Sequence, residues 1–127
     1  MQKDKFFLRK RIGSFRYAFR GIICLIRSEH NAWIQVSAAG AVILLGFLVR
    51  LHSGQWTLVI LSIGLVLTAE AFNTCVEKLC DLVHPGPDDR VRFIKDVSAG
   101  AVLLASVVAA IVGAIIFLPR IFHHFPG

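Results

Sequence analysis

Residues 56–81 read WTLVILSIGLVLTAEAFNTCVEKLCD, and this stretch decides the fold. From Trp56 to Ala69 it is uncharged and largely apolar, and it then carries Glu70, Asn73, Glu77 and Asp81. At roughly 100° per helical residue these four positions fall within about 80° of one another, so a single helix bears them as one stripe. A carboxylate at mid-bilayer depth costs on the order of 3 kcal/mol, and a chain that keeps several on one face must satisfy them with partners or a metal. The stripe is therefore the first place to look for function.

Working outward, the 127-residue chain is 56% hydrophobic, with a mean hydropathy of +0.69. Such a composition belongs in a bilayer rather than in water. Residues 30–49, 51–69 and 97–119 carry no formal charge, and each run is close to the roughly 20 residues that span hydrocarbon. An all-α membrane protein of one domain, 1–127, is expected, with transmembrane helices over 31–50, 56–83 and 92–119. Residues 1–28 form a cytosolic tail and a surface helix, because Phe15, Phe19, Ile22, Ile23 and Ile26 recur at helical spacing among Arg16, Arg20 and Arg27. The basic opening lacks the h-region and cleavage site of a secretory signal, so it is expected to stay on the protein.

Eight basic residues, from Lys3 to Arg27, precede the first span, whereas the turn near 50–55 offers Arg50 and His52. The positive-inside rule then puts the N-terminus and the 84–95 loop in the cytosol. Ser53 and Gly54 are expected to make the tight external turn. Prolines at 85 and 87 end the second span, and Pro119 marks the far end of the third. The net charge of +6 is concentrated beside a span among phenylalanines, which fits anionic headgroups rather than nucleic acid. Cys24, Cys75 and Cys80 show no CxxC and read as small packing residues. Trp33 and Trp56 read as interface anchors, and the His123-His124 pair lies on the side away from the acids.

Spacing alone leaves the stripe open to a proton or ion path, or to a polar seam holding helices together. The remaining charge favours chemistry: Glu29 opens the first span and Lys95 with Asp96 opens the third, so the in-membrane charge gathers at one face. A conduction path would need polar groups across the whole bilayer. A one-sided acidic cluster with a lysine at headgroup level suits phosphoryl transfer to a lipid hydroxyl. Mg²⁺ takes one or two carboxylates plus nucleotide phosphates, which Glu29 and Glu77 could supply. Lys95 would neutralise phosphate charge. Glu70 lies deeper and could accept a hydroxyl proton, while Asn73 could orient that hydroxyl or a ligating carboxylate.

The run Glu70-Ala71-Phe72-Asn73-Thr74-Cys75-Val76-Glu77-Lys78-Leu79-Cys80-Asp81, followed by Lys95-Asp96-Val97-Ser98-Ala99-Gly100-Ala101-Val102, resembles the signature of the small prokaryotic diacylglycerol kinase family. The resemblance extends over nearly the whole chain from Gly13. It implies an ATP-dependent membrane lipid kinase that needs neither a P-loop nor protein-kinase loops, and this sequence has neither GxxxxGK[ST] nor GxGxxG. By the same resemblance Glu70 is the general base, Glu29 and Glu77 are the metal-binding glutamates, and Lys95 with Asp96 contacts the nucleotide. Tyr17 and Lys10 match positions near the nucleotide, Lys10 standing where arginine is frequent. The family implies a homotrimer with shared active sites.

Two departures accompany this likeness. His84-Pro85-Gly86-Pro87-Asp88-Asp89 lacks the Glu-x-His pattern common in that loop, and Trp33 replaces a usual arginine. The family has a diacylglycerol branch and an undecaprenol branch. Gly46-Phe47-Leu48-Val49, Gln55-Trp56, Ala99-Gly100-Ala101-Val102 and Ile116-Phe117-Leu118-Pro119-Arg120 resemble the undecaprenol branch more.

Overall fold

A computed structural model describes residues 1–124, the side chain of His124 excepted. The last three residues of the expected single domain, and the His124 side chain of the expected His123-His124 pair, lie outside the described residues. The described chain is all helix and loop: α1 (Gln2–Ser28), α2 (His30–Leu48), α3 (Ser53–Val83) and α4 (Asp89–His124). Of these, α2, α3 and α4 are long and apolar enough to cross a membrane.

The break between α1 and α2 is a single residue. Glu29 is extended (φ −109°, ψ 117°), its N–H still bonding to the Leu25 carbonyl while its own carbonyl accepts from Trp33. Its side chain makes no cap hydrogen bond, which leaves the carboxylate available to other groups. No residue of α1 is buried, and this helix packs mainly against α2.

The corner between α2 and α3 departs from the expected Ser53-Gly54 turn. The chain turns instead at Val49–His52: Arg50 takes a left-handed φ of 55°, Leu51 N–H bonds to the Gly46 carbonyl and Arg50 N–H to that of Phe47. These two bonds form a Schellman closure with arginine in the position that usually favours glycine. Ser53 is then already helical, because His52 and Gln55 make a reciprocal capping box. His52 Nδ1 accepts from Gln55 N–H at 3.4 Å, and Gln55 Oε1 accepts from His52 N–H at 3.3 Å.

The third span also outruns its expected limits of 92–119. It begins at Asp89, where Asp88 caps the helix by accepting from Arg90 N–H at 2.8 Å. At the other end it continues through Pro119 to His124. Membrane helices tolerate an internal proline. Here the next residue, Arg120, donates to the carbonyls of Val49 (3.2 Å) and Arg50 (2.8 Å) and ties α4 to the corner.

That corner holds the buried core, built from Val49, Leu51, Val59, Ile116 and Phe117 with Trp56 packed against it. Trp56 is more than an interface anchor: its ring lies over Gly46 so closely that a Cβ there would stand 2.7 Å from Trp56 Cη2. Trp33 is exposed, as an anchor would be. α3 and α4 form the most extensive helix pair, and their antiparallel packing sets the acidic stripe against the start of α4.

Candidate active site

Glu70 is the most buried charged residue among those described, only 3% exposed. Its position follows from α3 periodicity, which turns residues 70 and 73 inward among apolar neighbours. Gln35 Nε2, from α2, donates to Glu70 Oε2 at 3.1 Å. Beside the carboxylate lies a cavity of about 370 Å³ between α1, α2 and α3, walled by Ile22, Leu25, Ile26, Val36 and Phe72 among others. The acid is thus the main polar feature of an apolar chamber.

One turn along, Asn73 is 8% exposed. Its Oδ1 accepts from Ser98 Oγ of α4 at 2.8 Å, and its Nδ2 faces Glu77 Oε1 at 3.5 Å. The Glu77 carboxylate fixes which way the amide points, because it can only accept, and the Ser98 hydroxyl is then free to donate to the amide oxygen. Of the two roles open to Asn73, orienting a carboxylate is the one these contacts support. Gln35 and Ser98 were not singled out from sequence. A lone amide six residues beyond Glu29, and the serine inside the Lys95–Val102 motif, were the signals that could have found them.

The residues around the outer end of the stripe are held in ion pairs. Glu29 Oε1 lies 3.8 Å from Lys78 Nζ, so this acid is held against the residue that follows Glu77. Lys95 Nζ meets Asp81 Oδ1 at 2.7 Å, and Asp96 is exposed. Lys10 and Tyr17 are exposed on α1, where Arg20 lies 6.0 Å from the Tyr17 ring. A single chain therefore gathers Glu70, Asn73, Glu77, Glu29 and Lys95 along one end of α3 and leaves Lys10, Tyr17 and Asp96 outside that group.

The 84–88 loop is locked by its own contacts. His84 Nδ1 lies 3.1 Å from the Gly86 carbonyl, and Asp88 receives Arg90 through Nε (3.2 Å) and an NH2 group (3.0 Å). The Arg90 side chain, then its backbone N–H, hold the Asp88 carboxyl well below its ordinary value of 3.8. A depressed carboxyl stabilises the fold above that ordinary value and loses the contribution as pH falls below it, so this cap does not titrate near neutrality. Cys24, Cys75 and Cys80 are free thiols, the first two exposed and Cys80 buried.

The donor set suits a hard divalent cation without completing its shell. Among the described residues no three His, Cys, Asp or Glu side chains come together as a metal site. Glu29 is held beside Lys78, the residue after Glu77 in sequence, and Mg²⁺ characteristically takes one or two carboxylates and fills the rest with phosphate and water.

A helical membrane protein with a buried acid beside an apolar chamber, and acids with a lysine just beyond, has known counterparts. The chain is 38% identical over 108 residues to the undecaprenol kinase of Bacillus subtilis, covering 85% of this chain and 88% of that one. It is 36% identical over 107 residues to the diacylglycerol kinase of a Synechocystis species, covering 84% of this chain and 61% of that one. Both relatives are lipid kinases, and this is the class of enzyme that the fold and site define. Residues 16–117 match the prokaryotic diacylglycerol kinase family, and the chain belongs to that family.

Proposed function

We propose that this chain transfers the γ-phosphoryl group of ATP to the hydroxyl of undecaprenol, giving undecaprenyl phosphate and ADP. The observation that carries the proposal is the burial of Glu70 at the wall of an apolar chamber, where a base can meet an alcohol whose tail stays in lipid. Glu70 accepts the hydroxyl proton as the alcohol oxygen attacks the γ-phosphorus and the bond to the β-phosphate oxygen breaks. Lys95 neutralises phosphate charge, with Asp96, Lys10 and Tyr17 contributing to nucleotide binding. Glu29 and Glu77 hold Mg²⁺, which offsets charge on the nucleotide phosphates when bound. Asn73, steadied by Ser98, orients Glu77.

The enzyme works as a homotrimer in the bacterial inner membrane, with its site facing the cytosol. Sharing of sites between copies is supported by α1, which leaves Lys10 and Tyr17 exposed in a single chain. Orientation is supported by the basic residues ahead of α2. The choice of undecaprenol rests on the four short segments that resemble that branch, because identities of 38% and 36% scarcely separate the two relatives.

Diacylglycerol, giving phosphatidic acid by the same chemistry, is the second reading. Purified protein with Mg²⁺ and γ-labelled ATP is offered each lipid in turn. Label in undecaprenyl phosphate is expected. A clear preference for phosphatidic acid transfers the assignment to diacylglycerol, and label in neither product overturns it.

A further inference from the structure

We infer that Gln35 is a positioning residue for the reaction, holding the Glu70 carboxylate toward the chamber where the alcohol arrives. The inference rests on the reading of Glu70 as general base. Three observations carry it. Gln35 Nε2 reaches across from α2 to Glu70 Oε2 at 3.1 Å, a side-chain hydrogen bond spanning 35 residues of sequence. Gln35 Oε1, at the other end of the same amide, is buried and has no partner. The amide also stands between two cavities: Glu70 and the apolar wall of α1 line one, while Gln35 lines a second, of about 350 Å³, with Ala38, Val42, Val59 and Val66.

An unpaired buried amide oxygen among such neighbours disfavours the folded state. An apolar side chain of similar length would suit the second cavity better. What distinguishes the glutamine from that alternative is its donation to Glu70. One oxygen of the carboxylate is tied to Nε2, so the other is left as the acceptor for the incoming hydroxyl proton. A carboxylate with both oxygens free would sample several rotamers in an open-sided chamber, and a base must lie within hydrogen-bond reach of its proton.

Gln35→Met removes the donor, retains the length and fills the site with an apolar chain. Gln35→Asn keeps an amide but withdraws it by one methylene. Both are compared with the parent and with Glu70→Gln for kcat, for KM toward ATP and toward the lipid, and for the melting temperature in detergent. The expected result is a drop in kcat of about 10- to 100-fold for both variants, in line with a lost hydrogen bond to a charged group. KM for ATP is unchanged, and the melting temperature of Gln35→Met is equal to or above that of the parent.

A merely structural glutamine would lose melting temperature and turnover together, and that result overturns the inference. So does a Gln35→Met protein whose kcat stays within twofold of the parent. If Glu70→Gln itself retains turnover, the general-base reading has failed; if it is inactive while Gln35→Met is not, only the role of Gln35 has failed.

Discussion

The two ends of the helical hairpin formed by α2 and α3 are built on opposite principles. At the corner end, Gly46, Trp56, Leu51 and Phe117 interlock without space for a methyl group, and Arg120 ties the α4 backbone to the turn. At the acidic end the side chains are polar, the contacts are single hydrogen bonds or ion pairs, and an open chamber lies beside Glu70, while a second runs from Gln35 to the edge of the core at Val59 and Phe117. Close packing has one favoured arrangement and resists change. Locating it at the corner leaves the other end free to keep a buried carboxylate and unfilled volume, both of which disfavour folding. The close-packed core and the proposed chemistry thus occupy different ends of the helices.

Variants can break that separation. The largest expected effect is at the acidic end: Glu70→Gln lowers kcat by about 10²- to 10⁴-fold, the contribution of a positioned general base. Thermal unfolding in detergent should be unaffected, and retained turnover would remove catalysis from this end altogether. At the corner, Gly46→Ala forces a Cβ against the Trp56 ring and should destabilise by about 1–3 kcal/mol, a typical overpacking cost. Turnover per folded molecule should stay the same; a parallel fall in kcat would mean that the two ends are coupled.

Smaller changes sharpen the contrast. Ser98→Ala releases Asn73 and through it Glu77, so the Mg²⁺ concentration for half-maximal rate should rise about fivefold, the value of a hydrogen bond near 1 kcal/mol. An unmoved Mg²⁺ titration would show that Asn73 acts elsewhere. The mildest variant is Arg50→Gly, which relieves a left-handed backbone and should stabilise by up to about 1 kcal/mol, less what glycine adds to the entropy of the unfolded chain. A denaturation midpoint that does not rise would indicate that the arginine side chain offsets its own strain.

Much of this was legible in the chain itself. Uninterrupted apolar runs marked α2, α3 and α4, and helical periodicity placed Glu70, Asn73 and Glu77 on one stripe before any coordinates. The Lys95–Val102 motif indicated which helix faces it. What escaped notice depends on contacts that spacing does not encode. Gln35 is one amide whose partner is 35 residues distant. Ser98 matters through a hydroxyl aimed at Asn73, and nothing in its neighbours announces that direction. The ion pair of Lys95 with Asp81 joins residues 14 apart on two helices, and no spacing rule announces it.

Local rules misplaced two boundaries for a related reason. Ser53-Gly54 has the composition of a turn, but the Schellman bonds at Arg50 and Leu51 closed the corner three residues earlier. Pro119 resembles a terminus, but the helix runs on through it, and Arg120 reaches the corner carbonyls of Val49 and Arg50. A local backbone closure decided the first boundary, and composition alone signals neither.

With Glu70 as the proposed base, the greasy wall that Ile22, Leu25 and Ile26 raise beside it would also govern economy with nucleotide. Bulk water is the most abundant hydroxyl in the cell, and a base in open solution would activate it at once. Here an acceptor must approach sideways, dissolved in hydrocarbon, before it can touch the carboxylate. Idle protein in a membrane lacking its alcohol should therefore leave ATP intact.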